Sequence, residues 1–193
     1  MSQQAKRRLA PLSLRYRASL LYEGRRRAVL DEPVEAMRRA GLQPVIDLHS
    51  RYARARAGDD TIVEAGFASS VRIFGALIDT LWTGKREGTR PSAVIGFRFG
   101  RNGRFVPKAR IQRAREVAEA LNAEPTLQEL VARAELKDIR FEDGPRGRLV
   151  QLQPLAGTIT ALYFPPLPPY TVPIRPGEAD AQLELLTRLL TCP

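Results

Sequence analysis

A chain of 193 residues that is 44% apolar and 27% charged can build one sizeable core, which excludes a wholly disordered polymer and leaves room for one domain with at most an appended arm. Its formal net charge of +10 is concentrated: residues 1–60 hold 13 cations and 7 acids, residues 61–123 hold 11 and 5, and residues 124–193 hold 7 and 9. One cysteine, Cys192, excludes an intrachain disulfide and a cysteine-based metal knuckle, and one histidine, His49, leaves zinc hydrolysis without ligands.

The first 22 residues carry Lys6, Arg7, Arg8, Arg15 and Arg17 and no acid, but Pro11 interrupts them and no apolar core of signal-peptide length follows. An organelle presequence shares this composition; a solvated basic arm over residues 1–11 is the expectation, followed by a single domain over 12–193 in the cytoplasm. Leu12, Tyr16, Leu20 and Leu21 predict an amphipathic helix over Leu12–Leu30, with Arg25, Arg26 and Arg27 on its far side. A second, short helix is expected from Pro33, which suits a first turn, to Gly41, which suits a C-cap.

Val45–Leu48 and Thr61–Val63 favour strands around the Gly58-Asp59-Asp60 turn, and Arg51–Ala57 fits strand or helix. Phe67, Val71, Phe74, Ile78 and Leu81 recur every three to four residues up to Gly84, which predicts a core helix over Phe67–Thr83, apolar nearly all round. Arg72 and Asp79 make this run too short and too charged for a bilayer span, so no transmembrane segment is expected.

Between Lys85 and Arg115, ten cations face one acid, Glu87. Inside this stretch Val94–Gly100 and Arg104–Val106 predict two strands joined through Arg101-Asn102-Gly103, an Asn-Gly signal for a tight hairpin. A helix follows, with Ile111, Ala114, Ala118 and Leu121 on one face. Thr126-Leu-Gln-Glu129 has the form of a capping box and predicts another helix over Leu127–Glu135. Asp138–Phe141, Arg148–Gln153 and Thr158–Phe164 then predict an antiparallel meander. The proline-rich run Phe164–Tyr170 is an extended crossing arm or a docking peptide; a strand over Tyr170–Ile174 and a terminal helix over Glu178–Leu190, with Leu183, Leu186 and Leu190 inward, complete the chain.

The charge asymmetry favours a polyanionic partner. Arginine outnumbers lysine 27 to 4, which genomic base composition alone can produce, but that bias does not remove every acid from residues 88–115. In the hairpin, Ile95, Phe97 and Phe99 share one face and Arg98 takes the other, so the aromatics either pack on the core or stack on bases. Lys108, Arg110 and Arg113 fall at or before a helix start, where cations oppose the macrodipole and an anion would offset them. There is no zinc-finger spacing, complete RNA-recognition consensus or Walker loop.

Enzymatic chemistry has less support. Asp47 shares a strand face with His49, and Glu135-Leu-Lys137 has the Glu-x-Lys spacing of a Mg²⁺-dependent nuclease, with Asp47, Asp59, Asp60 or Glu64 as further ligands. A third possibility is a partner- or ligand-binding module whose basic face meets an acidic protein or headgroup. The expected fold is therefore α+β: N-terminal helices, a central apolar helix, an antiparallel sheet built from the basic hairpin and the C-terminal meander, and a C-terminal helix. The expected function is non-enzymatic nucleic-acid binding without a cofactor. Arg98, Arg101, Arg104, Lys108, Arg110 and Arg113 contact phosphates, Arg25–Arg27 form a second patch, and sequence specificity is weak.

Overall fold

A computed structural model describes residues 14–47, 51–72, 75–88, 95–99, 103–108, 110, 112–144, 146–162 and 169–192. The expected N-terminal arm, His49 and most of the proline-rich run lie outside these residues. The fold is α+β, with four helices and ten strands among the described residues.

Helix α1 spans Leu14–Arg39 without a break. The two expected N-terminal helices are one: Pro33 lies inside it and removes one backbone hydrogen bond, while Val29, Leu30, Val34 and Met37 carry a buried stripe across the proline. The predicted stop is in place. Gly41 has φ +78°, its N–H donates to Arg38 O and the Leu42 N–H donates to Met37 O, a Schellman ending.

Strands β1 (Val45–Asp47), β2 (Tyr52–Arg56), β3 (Thr61–Arg72) and β4 (Gly75–Arg86) follow as antiparallel neighbours. The segment Phe67–Thr83 is therefore not a central helix; it forms most of a hairpin with twelve residues in each strand. Its apolar residues satisfy a helical period and a strand period together, and the strand wins because the alternate set Val63, Ala65, Trp82 and Gly84 is buried beneath the helices. β-Branched Thr61, Ile62, Val63, Ile78, Thr80 and Thr83 fit the pleated surface better than a helix.

Beyond β4 the sheet continues through β8 (Gly147–Pro154), β7 (Leu136–Gly144), β5 (Ile95–Phe99) and β6 (Phe105–Pro107). β7 and β8 form the expected hairpin, closed by Gly147 at φ +105°. The third meander strand behaves differently. β9 (Ile159–Leu162) pairs with β4 at Gly75–Ile78, whereas β8 pairs with β4 at Trp82–Arg86, so β8 and β9 lie end to end along one partner. β10 (Tyr170–Thr171), shorter than the predicted strand, pairs with β9.

Helices α2 (Gln112–Ala123), α3 (Pro125–Arg133) and α4 (Glu178–Thr191) pack with α1 into one core on a single face of the sheet. The predicted capping box is not used: Glu124 is the N-cap of α3 without a side-chain bond, and Pro125 starts the helix ahead of Thr126. α4 is the central covering element. Leu183, Leu185, Leu186, Leu189 and Leu190 are buried on it, and the Trp82 indole N–H donates to Gln182 Oε1 at 2.8 Å. Gly84 lets it sit close, since a β-carbon there would stand 2.5 Å from Leu190 Cδ1 and 3.1 Å from Leu186. Asp180 joins α4 to α1 by accepting from Arg39 Nε and NH2 at 2.8 Å each, which with Glu32 pushes the arginine pKa further up.

No helix among the described residues covers the other sheet face. Arg54, Arg56, Lys85, Arg140 and Glu142 are exposed there, and Tyr52, Glu64, Leu81, Thr83, Asp138, Leu149, Gln151 and Gln153 are half-buried. No helix among the described residues is long and apolar enough to cross a membrane.

Candidate functional site

The basic segment becomes the end of the sheet and its junction with α2. Register places position 97 beside Phe141, which is buried, and position 99 beside Phe105, also buried; Arg98 is in register with Arg140 and Val106, which are exposed. Register thus pairs positions 97 and 99 of β5 with buried residues and position 98 with exposed ones.

β6 is held by α2 through one side chain. Asn122 Oδ1 accepts from the Phe105 N–H at 2.8 Å, and its Nδ2 donates to Phe105 O at 2.9 Å, completing an edge strand that would otherwise lack a second partner. Ala114, Ala118 and Leu121 bury the inner face of α2, as its spacing predicted. Asn122 therefore ties β6 to α2, and the cations flank the joint. Arg104 precedes β6, Lys108 and Arg110 follow it, and Arg113 lies in the first turn of α2, which contains no acid. All four are exposed, and none is within ion-pair distance of a described acid. Arg101 lies outside the described residues.

Most other described arginines are engaged. Arg38 pairs with Glu35, Arg54 with Glu64 at 2.7 Å, Arg86 with Asp60 at 2.9 Å, Arg175 with Glu135 at 2.6 Å, and Arg188 with Glu124 and Glu184. The Arg86 guanidinium holds the Asp60 carboxyl below its usual range. Arg27, Arg56, Lys85, Arg115, Arg133 and Arg146 are also exposed without such a pair; Arg56 and Lys85 share one cross-strand row through Ile62, and Arg115 lies on α2 beyond Arg113. The expected second patch does not form as a unit: Arg25 is half-buried and donates to Thr171 Oγ1 at 3.4 Å, Arg26 lies 5.9 Å from the Phe67 ring centroid, and only Arg27 stands fully out.

The nuclease residues are dispersed. Glu135 turns to Arg175, Lys137 turns to Asp79 at 3.2 Å, and no three potential metal ligands gather among the described residues. That lysine contact reveals a cluster the sequence reading missed. Asp79, buried on the open side of β4, accepts from Lys137 Nζ, from Gln153 Nε2 at 2.6 Å and from Thr158 Oγ1 at 3.2 Å, where β8 gives way to β9. The alternation of Asp138, Arg140 and Glu142 with apolar neighbours, and of Gln151 and Gln153 with Leu152, carried the signal for a polar sheet face.

Residues 50–192 match the family described as protein of unknown function (DUF3156), and the chain belongs to that family. The match takes in β2 to β10, α2, α3 and α4, and leaves out α1 and β1. Comparison with curated proteins and with solved structures gave no match.

Proposed function

We propose that this member of the DUF3156 family is a non-enzymatic nucleic-acid-binding protein that grips phosphates with the β5–β6 hairpin and the start of α2. The observation that carries the reading is the contrast in pairing: Arg104, Lys108, Arg110 and Arg113 stand exposed without a described acid, in a fold where Arg38, Arg39, Arg54, Arg86, Arg175 and Arg188 are all ion-paired. Arg98 and Arg101 belong to the same basic segment and extend the set. Unpaired guanidinium forks and the first amides of a helix whose first turn lacks an acid are both suited to phosphate oxygens. Such contacts give affinity without reading bases, so this surface supplies weak sequence specificity.

Fluorescence anisotropy of labelled DNA and RNA between about 50 and 200 mM salt tests this reading. Affinity is expected to fall steeply with salt, and Arg104→Ala, Lys108→Ala and Arg113→Ala each to lower the slope of log affinity against log salt by about one. Absence of binding at the low-salt end removes the proposal and directs attention to an acidic protein or headgroup as the partner of the basic face.

A further inference from the structure

The open sheet face next to the basic hairpin holds a pocket of about 230 Å³ floored by Ala68 and Leu81 and rimmed by Asp138, Arg140, Gln151 and Gln153. Resting on the nucleic-acid reading above, we propose that this pocket receives one unpaired base, so that the partner is a single strand. Its floor is apolar, as a base face requires, and its rim is a short set of donors and acceptors, as a base edge requires.

The rim is ordered by Asp79. A carboxylate only accepts, so the Gln153 amide nitrogen, 2.6 Å from Asp79 Oδ2, is committed to it. That leaves Gln153 Oε1 as the free end of the amide. Lys137 and Thr158 hold the same carboxylate, which makes the amide orientation a property of the fold. Beside Gln153, register places Asp138, a second acceptor. Arg140, a donor, stands next to Gln151 and 3.7 Å from Asp138. One side of the rim therefore accepts and the other donates. Two neighbouring acceptors favour bases with an exocyclic amine, namely adenine, cytosine and guanine, over thymine and uracil.

Sheet geometry fixes the strandedness. Eight adjacent strands span roughly 34 Å, and such a face cannot enter a major groove about 12 Å wide, although a two-stranded hairpin can. A base reaches a pocket on that face only if it is unstacked and unpaired. The phosphate-gripping residues are close at hand: β7, which carries Arg140, is separated from β6 only by β5, a distance of roughly 10 Å. Arg98 occupies the register position between Arg140 and Val106, on the line that joins pocket and hairpin.

The test uses labelled 12-mers of dA, dC and dT, of A and U, an abasic 12-mer and a blunt duplex of equal length, titrated with the full chain and with its Gln153→Met and Gln151→Ala variants, all checked by thermal melting. Single strands are expected to bind at least fivefold tighter than the duplex. Adenine and cytosine strands should exceed thymine and uracil strands, and the abasic strand should fall to the duplex level. Gln153→Met is expected to erase the preference among bases, and Gln151→Ala, at a site less coupled to Asp79, to weaken every base-bearing single strand. DNA and RNA strands of equal base content separate the two polymers. Salt-dependent binding in which duplex equals or exceeds single strand, or in which Gln153→Met keeps the wild-type ranking among bases, overturns the base pocket and leaves the phosphate surface standing. No binding to any oligonucleotide at low salt overturns both.

Discussion

Arg148 is buried, its guanidinium 4.7 Å from the Phe141 ring centroid and paired with Asp143 at 2.9 Å. Its other amino group donates to Leu189 O at 3.1 Å and to Cys192 O, so it closes the last turn of α4. At the edge of the same sheet, three strands from β8, Arg104, Lys108, Arg110 and Arg113 stand in solvent around β6 and the start of α2. Arg148 is bound up in the fold with all its nearby partners internal, whereas the hairpin cations are available to something outside it. A positive charge at a helix C-terminus is favourable and at a helix N-terminus unfavourable, so the two regions also differ in sign of electrostatic contribution.

The largest loss of stability is expected at Arg148. Arg148→Ala leaves the buried Asp143 without its guanidinium and the α4 carbonyls without their donor, and is expected to lower stability by about 3–5 kcal/mol, read as a shift in the urea midpoint. Arg148→Met combined with Asp143→Leu removes both charges and should recover a large part of that loss. A loss under about 1 kcal/mol in Arg148→Ala would show that the clamp does not hold α4. Gly84→Val probes the same seat sterically. The new β-carbon meets Leu186 and Leu190, and a cost of about 1–3 kcal/mol is expected by the same measurement. Neither change touches the hairpin, so oligonucleotide affinity of the folded fraction should stay at the wild-type value.

Local signals were legible in the sequence and long-range ones were not. The antiparallel pairing of β5 with β6, the face of α2, the Gly41 stop and the inward leucines of α4 each depend on neighbours within a few turns of chain, and each is present, while Arg101 and Asn102 of the predicted Asn-Gly turn lie outside the described residues. The Phe67–Thr83 segment was misread because its apolar spacing satisfies two periods, and only pairing along the full β3–β4 hairpin decides between them. β9 was misread because a strand following β8 can fold back on it or continue past it, and the partner that decides is β4, more than 70 residues earlier. The candidate site was legible as a stretch without acids. Which arginines would be neutralised was not legible, because Arg39 finds Asp180 across 141 residues and Arg175 finds Glu135 across 40. The polar pocket depends on Asp79 meeting Gln153 and Thr158, a convergence of strands that no local window contains.

The smallest stability effect is expected at Arg113. Arg113 lies in an acid-free first turn of α2 and pairs with no described acid, so Arg113→Glu removes a charge that opposes the helix dipole and adds one that complements it. The expected result is a gain of about 0.3–1 kcal/mol in urea unfolding, with the slope against urea unchanged. Affinity for oligonucleotides at low salt should move the other way, falling tenfold or more, because one phosphate contact becomes a repulsion. Opposite signs in one variant separate a residue held in reserve for an external anion from one that serves the fold. Were Arg113→Glu to cost more than about 1 kcal/mol, the residue would be engaged within the fold as Arg148 is, and the contrast between the two regions would fail at the position where the sequence made it strongest.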